Sequence, residues 1–229
     1  MATLIWDESK NRIYEAGLDQ GVLFPFQAAA VAWSGLISID EVNANQEATP
    51  EYFEGVRFKT SLSKADFQAN LSALSAPVEF APCEGKLELY PGFYATNQPK
   101  ELFGLSYRTF IGNPLEGLDY GYKIHLIYNA LACSEERSHQ TYNATTDPVV
   151  HRWLIRSVPY YKRDYIWFSS EDNLNLQHEL LGFHPISHLI VSSKSVEPQN
   201  LELLENVLYG TSTTDPELPS PTEVLELIR

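Results

Sequence analysis

Residues Phe103–Ala132, FGLSYRTFIGNPLEGLDYGYKIHLIYNALA, constrain the fold more than any other part of the chain. Two runs rich in β-branched and aromatic residues, Phe103–Asn113 and Tyr120–Ala132, flank a short connection of Gly, Pro, Asn and Asp. That pattern predicts a strand, a turn and a returning strand. In the returning run Ile124, Leu126 and Tyr128 fall on one face, Lys123, His125 and Asn129 fall on the other, and Ile127 breaks the pattern. Strand side chains alternate between faces, so one face seeks a core and the other a different environment.

Similar signals recur along the chain. Trp6–Tyr14 reads as a strand or an arm. Gly17 and Gly21 bracket a turn before a short strand at Val22–Phe26, whose Pro25 suits an edge or an end. Val31–Ile39 reads as one strand with a bulge at Gly35. Asp40–Gly55 is polar, acidic and contains Pro50, and reads as a long loop of the kind that is disordered or in use. Strand signals resume at Val56–Phe58. Phe67, Ala69, Leu71 and Ala73 alternate with Gln68, Asn70 and Ser72, and a short strand is expected near Leu87–Tyr90. Ser134–Asp147 reads as loop. In Val149–Pro159, Trp153, Ile155 and Ser157 oppose Val150, Arg152, Leu154 and Arg156, and His184–Ser193 reads as a further strand. One helix is expected at about 197–209, with Pro198 near its start, Leu201, Leu204, Val207 and Leu208 at helical spacing, and Gly210 at its end. Residues 211–229 read as a C-terminal arm ending in an apolar stretch, Val224–Ile228. The expected class is mainly β, one domain over 1–229, with one helix that could lie across an open sheet face.

The net charge of −14 lacks the basic footprint of a protein that grips DNA. Acidity keeps a protein soluble. On the wall of a conduit it would also repel DNA over roughly 8–10 Å, about one Debye length. Cys83 and Cys133 stand fifty positions apart without a CxxC, and read as reduced thiols. The N-terminus does not read as a signal peptide, and no run approaches the roughly 20 apolar residues of a membrane span.

Sequence motifs for catalysis are wanting. There is no G-x-S-x-G elbow and no G-x-x-x-x-G-K-[ST] loop. Nothing singles out two of the 30 acidic residues as a glycosidase pair. His184 and His188 have the H-x3-H spacing of some zinc sites. Pro185 lies between them and no Cys is near, so they read as two polar residues on a strand or loop, and no metal, cofactor or catalytic site is expected. Arg108 and Lys123, on the two arms of the central hairpin, are candidates for charge pairs across a subunit boundary. They also suit an ordinary solvated face.

Several segments together resemble the major tail (tail tube) proteins of long, non-contractile-tailed bacteriophages, especially those infecting Gram-positive hosts. They are YEAGLDQGVLF (Tyr14–Phe24), AVAWSGLISIDE (Ala30–Glu41), DFQANLSALSAPVEFAPCEG (Asp66–Gly85), FGLSYRT (Phe103–Thr109), GYKIHLIYNALA (Gly121–Ala132), LYGT (Leu208–Thr211) and LPSPTEV (Leu218–Val224). They cover most of the chain in the family's order. The departures lie between Ser134 and Ser187, where Arg152-Trp153 stands in place of the family's Phe-Ser-Trp strand and Tyr160–Phe183 looks altered or inserted.

The resemblance implies a β-sandwich or β-barrel core with one flanking helix, in a structural, non-enzymatic virion protein assembled in the host cytoplasm. Six copies form a ring and rings stack into a tube. Tape-measure protein fills the bore during assembly, double-stranded DNA later passes without sequence-specific binding, and terminator and distal tail or baseplate proteins cap the ends. No membrane or cofactor is implied. On that reading Asn43, Asn45, Gln46, Glu47, Thr49 and Glu51, in the 40–55 loop, are the candidate contacts to the next ring, and residues 1–16 and 211–229 are arms that dock on neighbours. The alternatives are a minor or distal tail protein of the same fold, or a carbohydrate-binding tail-tip module using Tyr160, Tyr161, Trp167 and Phe168.

Overall fold

The computed structural model describes residues 12–42, 48–53, 56–62, 67–136, 148–157 and 186–229. Strands β1 (Tyr14–Pro25), β2 (Val31–Ala32) and β3 (Leu36–Val42) come first, followed by β4 (Ala48–Phe53), β5 (Val56–Leu62) and β6 (Gln68–Ala73). After a 3₁₀ turn at Val78–Phe80 come β7 (Leu87–Tyr90), β8 (Phe93–Ala95), β9 (Phe103–Asn113), β10 (Gly117–Glu136), β11 (His151–Ser157) and β12 (His188–Ser192). Two helices close the chain, α1 (Pro198–Tyr209) and α2 (Pro221–Ile228). The architecture is mainly β, as the strand patterns imply.

The main sheet is antiparallel, in the order β2-β1-β9-β10-β11-β6-β3. Its axis is the central hairpin. The Asn113 carboxamide accepts from the N–H groups of Leu115 and Glu116 and closes the turn that joins β9 to β10. β10 is 20 residues long, and two strands share its far edge. β12 pairs with Lys123–Ile127 and β11 with Ala130–Glu136. A register shift between Ile127 and Ala130, with Asn129 at φ 48°, divides these halves. The chain runs from β2, bonded to β1, through Trp33–Gly35 into β3, bonded to β6. The sheet's two ends are thereby covalently joined, and the sheet wraps around its own inner face.

Around β10 both faces of this sheet are buried, which explains the break at Ile127. Ile127 lies on the inner face with Leu23, Leu71, Phe103, Leu105, Trp153 and Ile155. Ile124, Leu126 and Tyr128 lie on the outer face, under α1, with Val22, Phe24 and Val191. α1 presents Leu201, Leu204 and Leu208 to that face. Burying each of the three contributes about 1.5–3 kcal/mol relative to leaving it in water. Pro198 sits in the first turn, where its missing N–H costs nothing, and Gly210 at φ 74° ends the helix.

Several sequence expectations are corrected. Gly17 and Gly21 do not bracket a turn. β1 is one strand from Tyr14, and Gly17 (φ 76°) and Gln20 (φ 48°) take up extra residues as bulges. Residues 31–39 are two strands split by a turn at Ser34–Gly35. The 40–55 stretch is not one loop, because β3 runs to Val42 and β4 begins at Ala48. Nor is 134–147 all loop, since β10 extends to Glu136. The segment 211–229, expected as a docking arm, packs on its own subunit. Tyr128 donates to the Pro219 carbonyl (3.0 Å), and Leu218 packs where Gly104 has no Cβ to block it. Ser220 and Glu223 then form a capping box that starts α2, a second helix beside the one expected, and Val224 is buried. Residues 1–11 of the proposed N-terminal arm lie outside the described residues, and Tyr14–Ala16 belong to β1.

Candidate functional site

The inner face of the wrapped sheet changes character along its length. At one end it is aromatic. The 3₁₀ turn drives Phe80 into the opening, where its ring meets Trp33 (4.7 Å), Trp153 (5.4 Å) and Phe103 (5.1 Å). Both indole N–H groups have acceptors, Trp33 on the Ser75 carbonyl (2.8 Å) and Trp153 on Glu84 Oε1 (2.7 Å). Burial pushes the Cys83 thiol up to about 12, with Glu101 and Glu84 adding repulsion against a thiolate.

Two residues further along β9 and two back along β10, the same face turns polar. Tyr107 pairs with His125 and Thr109 with Lys123 across the ladder. The Tyr107 and His125 rings stack at 4.5 Å, and the His125 and His188 rings at 5.3 Å. His188 enters from β12 opposite Ile127, one step diagonally from His125. His125 Nδ1 faces His188 Nε2 at 3.2 Å and Glu41 Oε1, from β3, at 3.9 Å. On its other side His125 Nε2 meets Thr109 Oγ1 at 3.0 Å and Glu15 Oε1, from β1, at 3.4 Å. The Tyr107 hydroxyl donates to Glu41 Oε1 (3.4 Å). Burial lowers the pKa of His125 against the pull of Glu15, and burial next to His125 lowers His188 to about 4. Both imidazoles are therefore neutral at pH 7. Burial pushes the Tyr107 phenol up, and Glu41 adds to the shift.

Arg108 and Lys123 find carboxylates within the subunit. Arg108 donates to both oxygens of Asp19 (2.8 and 2.6 Å) and lies over the rings of Phe110 and Tyr122. Lys123 pairs with Glu15. Of the candidate inter-ring residues, Thr49 and Glu51 fall on β4, while Asn43, Asn45, Gln46 and Glu47 lie outside the described residues, as do His184, Tyr160, Tyr161, Trp167 and Phe168. The H-x3-H spacing thus pointed at His188 but not at its partner: His125 is 63 positions away and only strand pairing brings them together.

Two hairpins stand apart from the main sheet. Among the described residues β4 and β5 pair only with each other, Ala48 opposite Leu62 through Phe53 opposite Val56. β7 and β8 form another two-stranded sheet and leave Leu87, Leu89, Tyr90 and Phe93 between 51% and 73% exposed. Phe26 and Val78 are exposed as well, and a groove lined by Pro25, Ala28, Val78, Leu87 and Tyr94 runs beside this hairpin. Glu79, Lys86, Glu88 and Glu101 line the same groove, so the exposed apolar side chains stand beside charged ones, a mixture that suits a protein contact.

No protein-family model and no curated protein matches the chain. Among solved structures it is similar to the SPP1 tail tube (9% identity, 61% of this chain and 72% of that one, TM-score 0.35). It is also similar to the sheath/tube terminator of the extracellular contractile injection system PVC (11%, 62% and 92%, 0.36). A third likeness is to the tube-terminating cap of the anti-feeding prophage (11%, 68% and 89%, 0.35). Among the described residues no helix is long and apolar enough to cross a membrane.

Proposed function

We propose that this chain is a structural subunit of a phage-type tail tube, polymerising as stacked hexameric rings around a channel for DNA. The observation that carries the reading is that the β7–β8 hairpin pairs with no other described strand and exposes large apolar side chains, while among the described residues β4 and β5 pair apart from the main sheet. A lone two-stranded hairpin is marginal in water, and a neighbour that packs on it or pairs with its edges removes that weakness. The occupant proposed for the β7–β8 groove and for the β4–β5 hairpin is a second copy of this chain. Heterologous contact of this type closes into rings when the rotation closes. The order of tail-tube-like segments along the sequence supports the same assignment, and the polypeptide's role is then architectural, not catalytic.

On this reading Asn43, Asn45, Gln46, Glu47, Thr49 and Glu51 contact the next ring. Arg108 and Lys123 reach a neighbour through the partly exposed carboxylates they already hold. Tape-measure protein, a terminator and distal tail proteins are the other partners, and the assembled protein resides in the virion tail. The net charge of −14 gives a bore that repels passing DNA. Deleting residues 43–50 tests the proposal: the variant should stay soluble and folded yet fail to form elongated particles in analytical ultracentrifugation, where the intact chain forms them. Normal tubes from the deletion variant would remove the hairpin from the ring contact.

A further inference from the structure

We infer that Glu41, His125 and His188 form a binding site for one divalent transition-metal ion of the zinc class. The inference is independent of the assembly reading. Among the described residues these three bring their ligand atoms within 4.8 Å of one another. Ligand atoms about 2.0–2.2 Å from a tetrahedral ion lie roughly 3.3–3.6 Å apart. The two imidazole nitrogens, at 3.2 Å, already stand at that spacing. Glu41 Oε1 stands 3.9 Å from His125 Nδ1 and within 4.8 Å of the other ligand atoms, so it must close by up to about 1 Å to meet that spacing. Its side chain is half exposed. The donor set, two imidazoles and one carboxylate, suits zinc and leaves one position for water.

The surroundings match those of a metal-binding histidine. Such a residue donates its second ring N–H to a carboxylate or similar acceptor, which fixes the tautomer. With Nδ1 on the ion, His125 carries its proton on Nε2, where Glu15 Oε1 and Thr109 Oγ1 wait at 3.4 and 3.0 Å. The Tyr107 hydroxyl orients the Glu41 carboxylate. The rings are held in place by stacking, Tyr107 on His125 and Phe67 on His188. The ligands come from β3, β10 and β12, so an ion here would tie β3, which pairs with β6, to the β10–β12 pair.

The alternative is an N–H···N bond between two neutral imidazoles, and metal titration separates the two. Full-length protein, stripped with chelator, would be titrated with Co²⁺ alone and then with Zn²⁺ in competition. The expected result is one Co²⁺ per chain with visible d–d bands of a four-coordinate nitrogen/oxygen site, displaced by Zn²⁺, and a melting temperature raised by Zn²⁺. His125→Gln and His188→Gln should each weaken binding at least 100-fold, and Glu41→Gln at least 10-fold. Glu15→Gln acts only through His125 and should cost about 10–100-fold. His151→Gln, outside the cluster, should change nothing. If a histidine variant fails to fold, the Glu41→Gln and Glu15→Gln results decide. The inference is overturned by absence of binding at millimolar Co²⁺, or by binding that survives intact in both carboxylate variants.

Discussion

The two ends of the wrapped sheet share four strands, β1, β3, β9 and β10, yet they are stabilised by different physics. Around Phe80 the inner face is dry, and its aromatic rings interlock edge to face. Around His125 the same ladder carries Glu15, Glu41, Tyr107, Thr109, Lys123 and His188, joined in a network that reaches a half-exposed rim. The difference teaches that a strand can serve two solvents. The β10 alternation does not fail at Ile127. The inner face passes from polar to apolar between His125 and Ile127 while the outer face stays apolar throughout.

If that contrast is right, truncation at the dry end is the costlier insult. Trp153→Ala empties the centre of the aromatic cluster and leaves Glu84 Oε1 without its indole donor. It should lower stability by about 3–5 kcal/mol in urea unfolding. A loss under about 1 kcal/mol would mean that the cluster is not the core.

Base should attack the apolar surroundings next. Burial holds the Cys83 thiol protonated up to about 12, and burial with the Glu205 hydrogen bond does the same for the Tyr122 phenol, against ordinary values of 9.0 and 10.0. The unfolded chain ionises these groups first. Their contribution is therefore complete below about pH 9 and is lost as pH rises toward 12. The urea midpoint should fall over that window, and Cys83→Ala should flatten the fall. Iodoacetamide at pH 8 should label Cys133 at least tenfold faster than Cys83, and equal rates would contradict the burial of Cys83.

At the polar end the effects should be smaller. Lys123 and Glu15 are each about one-third exposed, so Lys123→Met should cost about 1 kcal/mol or less. The smallest change expected is at Ser106, whose buried hydroxyl has no hydrogen-bond partner. Ser106→Ala should be neutral or stabilising by up to about 1 kcal/mol. A clear loss there would reveal an acceptor that the geometry does not show.

Much of the architecture was legible from period-two patterns, as in Ala69, Leu71 and Ala73 on β6 or Trp153 and Ile155 on β11, because each such strand buries one face. The helix at Pro198–Tyr209 was legible for the same reason at helical period. α2 was missed although its signal was present: Ser220-Pro-Thr-Glu223 is a capping-box sequence, read instead as part of an extended tail. β4 was missed because Pro50 and acidic residues argue for loop, and pairing with β5 outweighs them. Spacing pointed at His188 but not at the other members of the histidine cluster. Its members come from β3, β10 and β12, and only strand register sets them face to face.

The central claim is that identical neighbours cover what this subunit leaves uncovered. Electron cryomicroscopy of the purified full-length protein tests it most directly. The account predicts stacked six-membered rings around an axial pore, with the β7–β8 surface against a neighbour in the ring and the β4–β5 hairpin seated on the next ring. Isolated monomers at every concentration, with both hairpins in solvent, would contradict it.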